Sequence, residues 1–227
     1  MKNSLPKEYK KGYINFANCK IDLSMKPMIP RKETEFWVKK VIKNIRKNNT
    51  DFTFLDVFSG SGCIGTAILK NCPKTCKFGV LSDIDKGFIE QIKINLKLNK
   101  INLPKYKIVQ SNIFDKIKSR LVPQKAGYNY IFTNPPYISL KNKHLIQESV
   151  LNHEPHKALF GGDDGLFFIR KFLKDARKYL KKDGKIYMEF DHFQKIELEK
   201  LLKELNYKNY RIYKDQFKKW RYVCIKK

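Results

Sequence analysis

Three groups at one point of this sequence can do chemistry together: the Asn134 carboxamide, the Pro135 carbonyl and the Tyr137 phenol, in the run Asn134-Pro135-Pro136-Tyr137. The Asn134 side-chain oxygen and the Pro135 backbone oxygen are both acceptors, a pair suited to gripping the two hydrogens of a planar NH2 group. Tyr137 and the Pro136 ring would wall the slot in which that group lies. The run follows Tyr130-Ile131-Phe132-Thr133, which reads as a buried strand. Two prolines cannot continue a strand's hydrogen-bond ladder, so the polar groups stand at its carboxyl end. In open α/β sheets that end is where ligands bind. The bland alternative is a plain strand-ending turn.

A second constellation lies upstream, in Asp56-Val57-Phe58-Ser59-Gly60-Ser61-Gly62, where a first strand meets its helix. Glycines there permit a tight turn and let backbone approach a ligand, and the helix start offers free N–H groups. The third glycine of the phosphate-cradling dinucleotide loop is missing. Asp83, at the end of the next strand, is placed to accept from two ribose hydroxyls, although it also reads as a helix cap. Asp85 is the better cap because it directly precedes the helix. Asn112, after the third strand, can meet an adenine edge or serve as a turn residue. An acid, a glycine turn and a ribose-binding acid, with nothing for a pyrophosphate, lead to S-adenosylmethionine as the expected cofactor.

The elements that must position these groups alternate. Strands are predicted at 52–58, 77–82, 106–110, 128–133 and 185–190. Helices are predicted at 33–45, from 64 onward, and at 86–98, 166–180 and 193–205, with Asp183-Gly184 as the turn into the fifth strand. Such alternation predicts an α/β fold with a parallel sheet covered on both faces. Two closing strands, 208–213 and 222–225, suggest an antiparallel edge hairpin. The expected division is an N-terminal extension with a short β-hairpin over 1–29, and a catalytic domain over 30–227.

The chain has 227 residues, enough for one ordinary α/β domain. No apolar run reaches the roughly 18 residues of a membrane span, and the start lacks a secretory signal's apolar core, so an intracellular, cytoplasmic protein with no membrane partner is expected. Cys19, Cys63, Cys72, Cys76 and Cys224 are odd in number and irregularly spaced, which argues against a disulfide framework, and no metal site is expected. With 48 Lys and Arg against 22 Asp and Glu, the formal charge is +26. Such a surface is drawn to RNA or a ribosome-like partner. Scattered Lys amid abundant Ile, Asn, Tyr and Phe is equally what AT-rich coding would produce.

With these residues in hand, the chain resembles the HemK family of protein glutamine N-methyltransferases, which modify peptide-chain release factors. The resemblance covers about residues 12 to 190 and rests on four stretches. Ile29-Pro30-Arg31-Lys32-Glu33-Thr34-Glu35 is similar to the family's I-P-R-x-E-T-E segment. Residues 55–62 are similar to its cofactor loop, and Asn134 to Tyr137 to its substrate motif. Glu154-Pro155 with Ala158 to Leu166 is similar to its E-P-x-x-A-L-F-G-G-x-D-G-L stretch. The substrate motif is shared with nucleic-acid adenine methyltransferases; the first and last stretches discriminate.

The resemblance implies a Rossmann-like class I S-adenosylmethionine-dependent methyltransferase with a mostly parallel seven-stranded sheet. It implies transfer of a methyl group to the side-chain amide nitrogen of a release-factor glutamine. Asn134, Pro135 and Tyr137 become the expected catalytic residues, and Asn134, Pro135, Pro136, Tyr137 and Glu154 the expected substrate contacts. The expected cofactor contacts are Arg31, Glu33, Asp56, Phe58, Ser59, Gly60, Ser61, Gly62, Asp83, Asn112, Ile113 and Asn134. Arg31 and Glu33 are expected to pair as a lid. Phe58 departs from the family, standing where its loop has the first glycine, and Ile113 stands where an aromatic often meets adenine. Fewer than 30 residues precede the Ile-Pro-Arg segment, where bacterial members carry a helical domain, so docking is expected to fall to the basic surface or to an activator subunit. The alternatives are an RNA or DNA exocyclic-amine methyltransferase and a non-catalytic RNA-binding protein on the same fold.

Overall fold

A computed structural model describes residues 4–117 and 127–227. The chain runs α1 (Lys7–Lys11), hairpin strands β1 (Tyr13–Phe16) and β2 (Cys19–Asp22), then α2 (Lys32–Asn48), β3 (Phe52–Val57), α3 (Cys63–Asn71), β4 (Cys76–Asp83), α4 (Lys86–Leu98) and β5 (Tyr106–Gln110). It continues through β6 (Tyr128–Thr133), α5 (Glu148–His153), α6 (Phe167–Ala176), β7 (Leu180–Glu189), α7 (Lys195–Glu204), β8 (Asn209–Lys214) and β9 (Trp220–Lys226).

Seven strands form one sheet in the order β5-β4-β3-β6-β7-β9-β8. The pairs from β5 to β7 are parallel, while β9 runs antiparallel to both β7 and β8. The last strand therefore inserts between β7 and β8 and leaves β8 at the edge. Phe54, Leu55, Asp56 and Val57 of β3 are all buried, the continuous pattern of a central parallel strand covered on both faces. From β3 the chain steps outward through β4 to β5, then returns to place β6 on β3's other side. That reversal opens a crevice beyond the carboxyl ends of β3 and β6.

Two apolar cores hold the layers. One face of the sheet is covered by α2, α3 and α4, through residues such as Trp37, Val41, Ile68 and Leu96. The other is covered by α6 and α7, through Phe172, Leu173, Leu198 and Leu202. The hairpin belongs to the first core: Phe16, Ile21 and Leu23 are buried in it. Burying a side chain of that size contributes about 1.5–3 kcal/mol. Its backbone is stitched to α4, with Asp22 N–H donating to Asn95 Oδ1 at 2.7 Å and Lys20 N–H to Asn99 Oδ1 at 3.1 Å.

The expected turn at Asp183-Gly184 lies inside β7, which starts at Leu180; α6 ends at Ala176 and one short 3-10 turn separates them. Gly184 marks close backbone contact instead. A Cβ there would stand 2.9 Å from the Tyr128 carbonyl oxygen. Among the described residues, no helix is long and apolar enough to cross a membrane.

Candidate active site

Two cavities meet above the carboxyl ends of β3, β4 and β6. The first encloses about 310 Å³. Its floor is the Phe58–Ser61 turn, and its sides are Asp83 with Ile84, Ser111 to Ile113, and Asn134 with Pro136. Met28, Pro30, Lys157 and Phe168 lie over it. The second, about 400 Å³, is lined by Arg31, Asn134, Pro135, Tyr137, Leu145 and Leu159, among others. Asn134, Met28 and Ala158 line both. Pro135 faces the second cavity and Pro136 the first, so the tetrapeptide is the partition between them.

The turn after β3 takes its shape from three neighbouring left-handed residues, Phe58 (φ 59°), Gly60 (φ 53°) and Gly62 (φ 74°). A phenylalanine is strained there as glycine is not. Its ring meets Phe168 edge-on, with centroids 5.7 Å apart, and both rings wall the first cavity. Ile113, also left-handed at φ 50°, supplies an apolar face to the same space.

The Asp83 carboxylate accepts from Gly60 N–H at 2.8 Å and Asp85 N–H at 3.0 Å, which lock the turn to the end of β4. Burial pushes its pKa up, and backbone donors at Asp85, Gly60 and Ile84 hold it back. Each oxygen keeps a lone pair for the cavity. Asp85 caps α4 by accepting from Phe88 N–H at 3.1 Å and is ion-paired with Lys157. Partial burial works against its ionisation, yet those bonds hold its carboxyl below the usual range.

Several expected cofactor contacts stand elsewhere. Asp56 does not line the cavity; it is fully buried beneath the turn, where its Oδ2 accepts from Gly65 N–H at 3.0 Å. Its Oδ1 has no partner among the described residues, and burial raises its pKa to about 7. Gly62 lies against Ile92 rather than the cavity. Arg31 and Glu33 do not form a lid pair. Arg31 reaches Glu154 Oε1 at 2.6 Å, and Glu33 lines, beside both of them, a surface hollow apart from the two cavities. Neither lines the first cavity, because Arg31 precedes α2 and turns toward the loop after α5. Glu154 lies under the second cavity rather than on it, its Oε2 accepting from Ile29 N–H at 3.1 Å.

Sequence reasoning missed two supports. The fully buried Glu189, at the end of β7, accepts from Tyr137 Oη at 2.9 Å, Thr34 Oγ1 at 2.8 Å and Trp37 Nε1 at 2.7 Å. A lone Glu inside an apolar strand, Ile186-Tyr187-Met188-Glu189-Phe190, was the available signal. Burial and this carboxylate together hold the Tyr137 phenol far above its ordinary pKa, which leaves it no role as an acid or base near neutrality. Gln194 Nε2 donates to Tyr137 O at 2.8 Å and Asp164 O at 3.1 Å.

The Gly-rich stretch clamps the tetrapeptide from behind: Ile138 N–H donates to Leu159 O, and Gly161 N–H to Ile138 O, both at 2.9 Å. A Cβ on Gly161 would stand 2.5 Å from Pro136 O, and one on Gly165 2.2 Å from Tyr137 O. Only glycine lets those backbones lie so close.

The donor set fits an adenosyl group: an apolar slot, an acid at the end of β4 and Asn112 beside it. The ammonium on the lining, Lys157, is already bound to Asp85. Sheet order, crevice and lining together define a class I S-adenosylmethionine-dependent methyltransferase. Solved structures of that fold superpose well. The human METTL16 catalytic domain in complex with a 3′UTR hairpin gives a TM-score of 0.69 at 15% identity, covering 92% of this chain and 74% of that one. A ribosomal-protein methylase from Lactobacillus delbrueckii subsp. bulgaricus gives 0.59 at 16%, covering 88% and 80%.

The chain belongs to the release factor glutamine methyltransferase family. It is 34% identical over 190 residues to the release factor glutamine methyltransferase of Thermodesulfovibrio yellowstonii, covering 83% of this chain and 64% of that protein. It is 32% identical over 222 residues to that of Streptococcus pneumoniae, covering 97% and 74%. A family model described as "Conserved hypothetical protein 95" matches residues 32–217.

Proposed function

We propose that this protein methylates the side-chain amide nitrogen of a glutamine in a peptide-chain release factor. The observation that carries the reading is the place of Asn134, on the wall common to both cavities, with Pro135 on the side away from the adenosyl slot. S-adenosylmethionine, when bound, supplies an electrophilic methyl group on a sulfonium.

An amide nitrogen is a weak nucleophile because its lone pair is delocalised into its carbonyl. Asn134 Oδ1 and Pro135 O accept the two amide hydrogens and hold the nitrogen facing the first cavity. Holding reactants near attack distance is worth on the order of 7–11 kcal/mol. The same oxygens stabilise positive charge growing on nitrogen, and being fixed by the fold they need no reorganisation. Deprotonation follows transfer, when the nitrogen is acidic enough to release its proton to water. Asp83 orients the ribose end, and Phe58, Ile113 and Phe168 exclude water from the slot.

The test is mass spectrometry of release-factor peptides after incubation with the protein and S-adenosylmethionine. A mass gain of one methyl on a glutamine supports the reading. A second reading, methylation of an exocyclic amine in RNA, is favoured by the +26 charge, since the same acceptor pair would serve an adenine NH2. Label transferred to total RNA, with none on the release factor, would decide for it.

A further inference from the structure

Glu189 joins two parts of the site that are far apart in sequence. Its Oε1 accepts from Tyr137 of the substrate tetrapeptide, and its Oε2 from Thr34 and Trp37 at the start of α2. The residues just before α2, Met28 and Pro30, roof the first cavity, and Arg31 lines the second. Roof and partition are thus tied to one carboxylate. Its relative exposure is 0%, and its hydrogen-bonding partners are all neutral; Arg221, a cation that acts on it through space, is itself paired with Asp215 at 3.0 Å. Burying a carboxylate without a directly bonded cation is costly, and an apolar side chain would fill the same space without that cost.

We propose that Glu189 is a positioning residue for methyl transfer. By fixing the Tyr137 hydroxyl against Thr34 and Trp37, it sets where Asn134 Oδ1 and Pro135 O stand relative to the adenosyl slot. This rests on the amide-grip reading above. A carboxylate suits the task because its two oxygens accept all three donors at once. An amide accepts at one end and donates at the other, so Glu189→Gln keeps shape and volume but, with its oxygen held by Thr34 and Trp37, leaves the Tyr137 O–H proton without its acceptor. A shift of about 1 Å in the grip costs on the order of a hundredfold in rate.

The experiment compares wild type, Glu189→Gln, Tyr137→Phe and the double variant. It measures kcat, KM and S-adenosylmethionine affinity, with Trp37 emission (all variants carrying Trp220→Phe, so that Trp37 is the one indole) and backbone hydrogen exchange over 137–140 recorded without substrate. The expected result for Glu189→Gln is a kcat ten- to hundredfold lower, cofactor affinity within about twofold of wild type, a shifted Trp37 emission and faster exchange. The double variant should fall no further than the worse single one, because both changes cut the same link. Unchanged kcat, additive losses, or cofactor binding lost in step with kcat each overturn the proposal. Should Glu189→Gln fail to fold, Tyr137→Phe decides alone, full kcat overturning the link. A wild type inert toward release factor sinks the substrate reading only; emission and exchange then judge the link, unchanged values rejecting it.

Discussion

Arg31 and Glu154, 123 residues apart in sequence, meet at 2.6 Å and tie the Ile-Pro-Arg segment to the loop after α5. The Glu154 side chain is wholly buried, while that of Arg31 keeps a third of its surface in solvent. The pair also anchors Ile29 N–H, and so fixes the strap over both cavities. Glu154→Ala leaves the guanidinium and that N–H without their acceptor. It should cost about 1–3 kcal/mol of stability, the lower half more fitting because Arg31 can turn to water. Urea denaturation measures it, and a loss confined to a few tenths would show the strap is held by other contacts.

Asn134→Ala removes one acceptor of the grip and leaves the rest of the first cavity's wall in place. Cofactor affinity by calorimetry should stay within a few-fold of wild type. Turnover should fall by about 10²–10³, the scale seen when one preorganised polar group is removed from a transition state. Equal losses in binding and turnover would place Asn134 in cofactor recognition instead.

Phe58→Gly relieves a strained left-handed residue while deleting the ring that meets Phe168. The two effects oppose each other in the free protein, so its stability should move by less than about 1 kcal/mol. The first cavity nonetheless loses an apolar wall. Cofactor Kd should rise about three- to tenfold, the equivalent of one aromatic contact. Isothermal titration reads this directly, and an unchanged Kd would mean the ring supports only the fold.

Burial raises Asp56 from 3.8 to about 7, so the folded protein binds a proton there that the unfolded chain releases. Stability from this group therefore falls as pH climbs from about 4 to about 7. Asp83 and Glu189 are shifted the same way by burial, so the comparison must isolate Asp56. Asp56→Asn still accepts from Gly65 N–H but carries no titrating proton. Its stability relative to wild type should improve by a few kcal/mol between about pH 5 and pH 8, measured by denaturant titration. A constant difference across that range would show that Asp56 stays ionised throughout.

The parallel sheet, its helical layers and the tetrapeptide at the end of β6 are all legible in the amino-acid sequence. Buried strands announce themselves as apolar runs, and two prolines after one can mean only that it stops. The turn from Phe58 to Gly62 was legible for the same local reason. Gly161 and Gly165 were readable as a family signature, but not as the places where backbone must lie against Pro136 O and Tyr137 O.

Sequence by itself determined which chemistry is available: two acceptor oxygens beside a rigid proline pair, and a glycine turn with acids on neighbouring strands. Tertiary structure alone decided the partners. It assigned Arg31 to Glu154 instead of the nearby Glu33, withdrew Asp56 beneath the turn, slid β9 inside the sheet and set Glu189 under Tyr137. Residue types and local spacing encode hydrogen-bonding capacity and backbone freedom. Which capacities meet depends on how layers fold over one another, and the pairs made by Arg31 and Glu189 lie 52 to 155 residues apart.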